Sequence, residues 1–258
     1  MGLSKKNFTI LKVMSYKEML QEARSSTREV AKHQKEQLIV LIFRELGYYL
    51  SPAFMILNVS ANKITVLGLI LGVIAGALIW YGYLFWGVLF LFVEVILDHV
   101  DGTIARVRGE ATFYGRFMDG FCGIIVSTIT KLSLSGLVVS MSGFNGIAWL
   151  GVIATILTPM HFLFYDRYAA YARWINEEHN GFNIKPYLRG EMPAYFNKVN
   201  DLQMMLLFAL PLFYYFSEYA YLFISIYFLL NIYLALHTLV VYSISAYKNF
   251  VVEAKPHR

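Results

Sequence analysis

Charged residues are scarce in this 258-residue chain, and their scarcity excludes an ordinary soluble domain. Asp, Glu, Lys and Arg make up 15% of the chain, whereas soluble domains carry about 25%. Apolar residues make up 58% and aromatic residues 17%. Several apolar runs approach the roughly 20 residues that a helix needs to cross a bilayer. The composition therefore indicates an integral membrane protein.

Other absences narrow the class further. The single cysteine, Cys122, excludes an internal disulfide. The first residues are polar and of mixed charge, so we expect no cleavable signal peptide. The net charge of +5 comes from dispersed basic residues without a nucleic-acid-binding motif. We therefore expect no nucleic-acid partner and ascribe the positive charge to membrane topology.

The apolar runs predict an all-α integral membrane fold, a bundle of six transmembrane helices. The spans are predicted at about 64–82, 84–106, 114–139, 146–165, 202–217 and 221–246, the fourth continuing as a helix through Arg173. Residues 1–35 predict an amphipathic helix, on the membrane surface or against the protein's own cytoplasmic face, or alternatively a solvated helix that leads into the membrane part. Arg44, Glu45 and Pro52 interrupt the apolar stretch 36–59, which favours a short interfacial helix.

The chain therefore divides into an interfacial segment (1–60), a membrane domain (61–247) and a polar tail (248–258). With a cytoplasmic N-terminus, six spans return the C-terminus to the cytoplasm. Of the 22 Lys and Arg residues, only Lys131 then falls away from the cytoplasmic side. Because positive residues are retained there, we predict this orientation in a plasma (inner) membrane. Lys131 itself is predicted to snorkel outward, to bind a lipid headgroup or to contact a polar partner in the bundle.

Acidic residues lie near the loop that joins the second and third predicted spans. Glu94, Asp98 and Asp101 share one helical face, and Asp119 opens the next span. A carboxylate inside a membrane helix costs about 2.5–3.5 kcal/mol, so such a cluster favours a functional explanation. Facing carboxylates on two helices can hold Mg2+ or Mn2+. The alternative, ordinary helix-end charges among the headgroups, does not explain the regular offsets of the neighbouring glycines and arginine.

Those offsets resemble the signature of the CDP-alcohol phosphotransferase family of membrane enzymes. The signature reads Asp, two residues, Asp-Gly, two residues, Ala-Arg, eight residues, Gly, three residues, Asp, three residues, Asp. Its first seven positions are filled here by Asp98, Asp101, Gly102, Ala105, Arg106, Gly115 and Asp119. The eighth position holds Gly123 instead of Asp.

The resemblance implies transfer of a phosphoryl-alcohol or phosphatidyl group from a CDP-linked donor to an acceptor, with release of CMP, in phospholipid or related lipid biosynthesis. It implies that Asp98, Asp101 and Asp119 bind one or two Mg2+ or Mn2+ ions, with Asp119 also part of the catalytic site. The resemblance also implies the positions that bind the donor. Three small residues would admit the cytidine: Gly102, Ala105 and Gly115. Arg106 would contact a phosphate.

The glycine at the eighth position leaves the acceptor's activation open. In the family, the Asp there contributes to metal binding and is the proposed general base. Another residue could replace it: Glu94 on the acidic face, or His99, His161 or Asp166 from nearby helices. Alternatively, the acceptor is already anionic and needs no base, or the protein binds without turnover.

Neither substrate is identified by these residues. The donor is either CDP-diacylglycerol, with a polar acceptor, or a soluble CDP-alcohol, with a lipid acceptor. The main alternative function is a catalytically silent relative that binds nucleotide or lipid as a partner protein, and a small transporter with an intramembrane metal site is a more distant one. Members of the family commonly dimerise, so the resemblance also implies a possible homodimer.

Overall fold

Eight α-helices make up the part of the chain that the computed structural model describes, residues 15–31, 38–179, 182–186, 194–216 and 219–250. They are α1 (Tyr16–Ala31), α2 (Leu38–Ile56), α3 (Ala61–Trp80), α4 (Leu84–Val107), α5 (Phe113–Ser142), α6 (Gly146–Glu178), α7 (Ala194–Phe216) and α8 (Ala220–Asn249). The all-α fold is confirmed, and helices α3–α8 correspond to the six predicted spans. Most of the predicted tail lies outside the described residues.

The end of α6 and the start of α7 differ from the boundaries that the apolar pattern predicts. Helix α6 continues beyond its membrane span, as predicted, but ends at Glu178, five residues after the predicted limit at Arg173. Helix α7 begins at Ala194, eight residues before the predicted start at 202. That predicted start is wrong because the first turns of α7 carry polar residues, which leave no hydrophobic signal: Asn197, Lys198, Asn200 and Asp201.

Six helices of the described residues are long and apolar enough to cross a membrane, which confirms the predicted number. The set differs from the prediction in one member, because it includes α2 and leaves out α4. Helix α4 has 24 residues, about 36 Å at 1.5 Å per residue. Its apolar run is interrupted by Glu94, Asp98 and Asp101. Helix α4 is therefore long enough to cross a membrane, and it is the acidic cluster that sets it apart from the six helices.

The ends of α2 bear on whether this helix crosses the bilayer. At its start, the backbone N–H of Ile39 donates to Asp201 Oδ1 (3.3 Å), near the beginning of α7. At its end, the Met55 carbonyl accepts from Arg108 Nη2 (3.4 Å), just beyond α4. Because α4 ends and α7 begins on the same side of the bundle, both ends of α2 lie there. This arrangement supports the predicted interfacial helix.

The helix α1 packs on α2. Met19 and Ala23, two of the apolar positions, are 3% and 0% exposed. Arg24 forms an ion pair with Glu45 (2.8 Å) and also donates to the Tyr49 hydroxyl (3.2 Å). The apolar face of α1 therefore lies against the protein, which is one of the predicted alternatives. The apolar residues before position 15 lie outside the described residues.

Helices α3 and α5 cross at very short range. A Cβ at Gly72 would lie 2.4 Å from Val126 Cγ2, and one at Gly76 would lie 2.2 Å from Ile129 Cγ2. Small residues spaced by four let membrane helices approach this closely. The crossing places the start of α3 beside the start of α5, where Asp119 lies.

Candidate metal and nucleotide site

Three helix ends meet on one side of the bundle. Helix α3 begins there, α4 ends there, and α5 begins there after a short loop. Thr112 caps α5 by accepting a hydrogen bond from the Gly115 backbone N–H (3.0 Å). The buried Arg108 donates to the Val59 carbonyl (2.7 Å) and so ties the end of α4 to the turn before α3. These contacts fix the relative position of the three ends.

The predicted acidic residues converge between these ends. Glu94, Asp98, Asp101 and Asp119 line one pocket, together with Gly123 and residues of α3. Asp101 is 4% exposed, whereas Asp98 and Asp119 are exposed. The prediction that helix adjacency brings these carboxylates together is therefore confirmed by the geometry.

A hydrogen bond orients Asp101, and Asp98 lies against Asp119. Asp101 Oδ2 accepts a hydrogen bond from Thr65 Oγ1 at 2.5 Å. The Asp98 and Asp119 side chains contact each other across the α4–α5 junction. Among the described residues, no three His, Cys, Asp or Glu side chains are already arranged around a metal position. Binding an ion therefore requires rotation of these carboxylates within the pocket.

The chemistry of the pocket nevertheless fits a hard divalent cation. Its polar side chains are four carboxylates and one threonine hydroxyl, with Cys122 as the sole sulfur. Mg2+ and Mn2+ prefer oxygen ligands, which these carboxylates supply. Asp98, Asp101 and Asp119 stand on two facing helices, an arrangement that lets one ion be held from both sides.

Thr65 is a site residue that the sequence did not single out. It lies in the first turns of α3, and its hydroxyl is within bonding distance of both Asp101 and the Ala61 carbonyl (3.2 Å). A threonine near the start of a membrane helix is common, so composition and spacing gave no signal. Only the pairing of α3 with α4 identifies it.

The four residues predicted to bind the donor lie beside the pocket but do not line it. The Arg106 guanidinium folds back over Gly102, where an added Cβ would lie 3.2 Å from Nη1. Arg106 Nη2 also donates to Thr103 Oγ1 (3.3 Å). Ala105 is half-buried near the end of α4. Their predicted contacts with a nucleotide stay a prediction.

Gly115 is used for helix packing. A Cβ there would lie 3.3 Å from Asn62 Oδ1 of α3 and 3.3 Å from Thr112 Oγ1. Its missing side chain thus lets α3 approach α5 at the mouth of the pocket. Whether it also admits a nucleotide stays a prediction.

Gly123 faces open space. A Cβ built at this position has no heavy atom within 4 Å, and Gly123 lines the acidic pocket. Nothing in the described structure fills the place of the side chain that the motif carries there.

Lys131 lies deeper in the bundle and is 5% exposed. Its ammonium donates to Ser127 Oγ (2.7 Å) and to the Ser127 carbonyl (3.2 Å). Of the three predicted alternatives, the polar partner within the bundle is the one that the structure contains. Lys131 does not line the acidic pocket.

Comparison with known families agrees with this geometry. A family model described as CDP-alcohol phosphatidyltransferase matches residues 58–242, more than half of the chain. The matched region begins just before α3 and extends into α8, so it contains the whole acidic pocket. The chain belongs to this family.

Individual relatives match over different lengths. The chain is 44% identical over 64 residues to the phosphatidylinositol phosphate synthase of Streptomyces avermitilis, covering 24% of this chain and 26% of that protein. The match thus spans about a quarter of that relative. The fold resembles the Mycobacterium tuberculosis phosphatidylinositol phosphate synthase solved with CDP-DAG bound, at a TM-score of 0.51 and 16% identity, covering 81% of this chain and 96% of that chain. The same synthase solved with manganese and citrate gives a TM-score of 0.50 at 16% identity, covering 81% and 91%.

Proposed function

We propose that this protein transfers a phosphoryl-alcohol or phosphatidyl group from a CDP-linked donor to an acceptor and releases CMP, as a step of phospholipid or related lipid biosynthesis. The observation that carries the proposal is the convergence of Asp98, Asp101 and Asp119 in one pocket between α4 and α5. Membership of the CDP-alcohol phosphatidyltransferase family supports it.

Asp98, Asp101 and Asp119 would hold one or two Mg2+ or Mn2+ ions. The oxygen-rich pocket supports this assignment, and the structurally similar synthase has been solved with manganese. These residues would thereby supply the site with the charge neutralisation that phosphoryl transfer from a diphosphate requires. The protein's own contribution is to fix the carboxylates: Thr65 holds Asp101, and α5 presents Asp119 opposite Asp98.

The donor's nucleotide would lie beside Gly102, Ala105, Arg106 and Gly115 at the mouth of the pocket. Arg106 is exposed and turned toward Gly102, so its planar fork is available for a phosphate oxygen. CDP-diacylglycerol is the donor that the similar synthase supports, because that enzyme has been solved with CDP-DAG bound. A polar acceptor that carries a phosphate would match the product in the relatives' name.

The membrane setting follows from the charge distribution. The protein is a multi-pass protein of the plasma (inner) membrane, with α3–α8 crossing, both termini cytoplasmic and the site at the cytoplasmic end of the bundle. The positive residues near the site end support this orientation. A homodimer within the membrane is part of the same proposal.

Release of CMP tests this function. The purified protein is mixed with CDP-diacylglycerol or soluble CDP-alcohols, a panel of polar and lipid acceptors, and Mg2+ or Mn2+. We expect CMP release that depends on the donor, the acceptor and the metal, and that chelation abolishes. Retained nucleotide binding without CMP release from any pair would instead support the catalytically silent alternative.

A further inference from the structure

The acidic pocket contains one carboxylate that the family motif does not include. Glu94 lies four residues before Asp98 on α4, which places both side chains on one helical face. It lines the same pocket as Asp98, Asp101, Asp119 and Gly123. Compared with the family motif, the chain lacks the α5 carboxylate at position 123 and has an additional α4 carboxylate, Glu94.

Glu94 and Gly123 border the same pocket from two different helices. A Cβ at Gly123 would meet no heavy atom within 4 Å, so the space next to this position is open. On α3, the buried Gly68 lies beside Glu94, whose Cγ would be in ordinary van der Waals contact, 3.9 Å, with a Cβ at that glycine. Glutamate is also one methylene longer than aspartate. Its carboxylate can therefore extend from α4 toward the space that Gly123 leaves.

The other candidates for the same role lie elsewhere. His99 packs in the α2–α4 contact, where its Cβ would lie 2.9 Å from a Cβ at Gly47. His161 lies on α6, with Nδ1 3.3 Å from the Leu157 carbonyl and its ring against Phe162. Asp166 is a further turn along α6. Among these four residues, all within the described structure, Glu94 alone lines the pocket.

We propose that Glu94 supplies, from α4, the proton-accepting carboxylate that the motif places at position 123 on α5. This inference rests on the proposed function. The acceptor's hydroxyl oxygen forms a bond to the donor's phosphorus and gives its proton to the Glu94 carboxylate. The bond between that phosphorus and the CMP oxygen breaks, and CMP leaves with the electron pair.

The first variant is Glu94→Gln, which keeps the size of the side chain and removes its charge. We expect the rate of CMP release to fall by about 10²–10⁴-fold, the usual contribution of a general base. Glu110→Gln is the matched control, because Glu110 is an exposed carboxylate in the turn after α4. That control should keep the wild-type rate.

A second measurement separates proton acceptance from metal binding. Mn2+ affinity, followed by the electron paramagnetic resonance of the free ion, should change in Glu94→Gln no more than in Glu110→Gln. A loss of affinity as large as that of Asp101→Asn would make Glu94 a metal ligand and overturn the proton-accepting role.

The relocation itself is tested by moving the carboxylate back. Glu94→Gln is expected to lose about two to four decades of rate. The double variant Glu94→Gln with Gly123→Asp should recover at least about a tenth of the lost rate, because position 123 is open. Wild-type turnover with an unaffected Glu94→Gln rate would overturn this inference alone and favour an acceptor that needs no base. Absence of CMP release from the wild type would overturn both the function and the inference.

Discussion

Thr65 and Asp101 are joined by a 2.5 Å hydrogen bond between Oγ1 and Oδ2, across the interface of α3 and α4. Asp101 is the most buried of the three motif carboxylates that line the pocket, at 4% exposure. A buried carboxylate oxygen without a donor is unfavourable, so Thr65 both stabilises this side chain and sets its direction. The helix that lies outside the motif thereby controls the orientation of a motif residue.

Replacement of Thr65 by Val should weaken the site while keeping the shape of the side chain. The hydroxyl that orients Asp101 is lost, and loss of an outer partner of a metal ligand typically lowers metal affinity or activity by about 10–100-fold. Mn2+ titration and CMP release measure the two effects. Thr65→Ser, which keeps the hydroxyl, should retain most of both.

Thr128→Val is the control for a general effect of removing a helical threonine hydroxyl. Thr128 bonds only locally, to the Ile124 carbonyl (2.7 Å), and does not line the pocket. Equal Mn2+ affinities in Thr65→Val and Thr128→Val would contradict the role of Thr65.

The contrast between Thr65 and Asp119 shows how far the sequence could predict this site. Asp98, Asp101 and Asp119 lie on consecutive helices joined by a short loop, so sequence adjacency alone brings them together. Thr65 meets Asp101 across 36 positions of the chain, and the register between α3 and α4 depends on close packing at residues such as Gly87, where a Cβ would lie 2.8 Å from the Ala75 carbonyl. Hydrophobic patterning contains no information about that register.

The limits of hydrophobic patterning also explain why the start of α7 was predicted wrongly. Its apolar part was predicted, but its polar first turns were not, because polar residues leave no hydrophobic signal; in the structure, Asp201 of these turns accepts a hydrogen bond from the start of α2. Tertiary packing determines such a segment more than its intrinsic propensity does.

Asp101→Asn tests the metal assignment. The substitution keeps the size of the side chain and removes the charge that attracts a divalent cation. We expect Mn2+ affinity and CMP release to fall by more than the roughly 10–100-fold that loss of an outer partner causes. Asp166→Asn, on α6 and outside the pocket, is the matched control. An unchanged Mn2+ affinity in Asp101→Asn would remove Asp101 from the ligand set.

Two glycines of similar helical context should respond to alanine in opposite ways. Gly123→Ala adds a methyl group into open space, and alanine stabilises a helix by about 0.5–1 kcal/mol relative to glycine. Gly72→Ala places its Cβ 2.4 Å from Val126 Cγ2, and such overpacking destabilises by about 1–3 kcal/mol. Thermal unfolding in detergent should therefore separate the two variants. A lower midpoint for Gly123→Ala than for Gly72→Ala would contradict the α3–α5 packing.

Arg108 should support the site without touching it. This arginine is 7% exposed and donates to the carbonyls of Val59 and Met55, which places a cation at the C-terminal end of α2, where the helix dipole favours it. Loss of hydrogen bonds from a charged donor costs about 1.5–3 kcal/mol. Arg108→Gln should therefore lower the unfolding midpoint. It should also lower Mn2+ affinity, because Val59 lies in the turn that leads to Thr65.

Arg108→Lys should fall between the wild type and Arg108→Gln, since a lysine can bond one of the two carbonyls. The control is Arg116→Gln, because Arg116 is exposed in the first turn of α5. If Arg108→Gln and Arg116→Gln unfolded at the same temperature and bound Mn2+ equally, the turn before α3 would not depend on Arg108. The position of Thr65 would then come from the packing of α3 against α4 and α5.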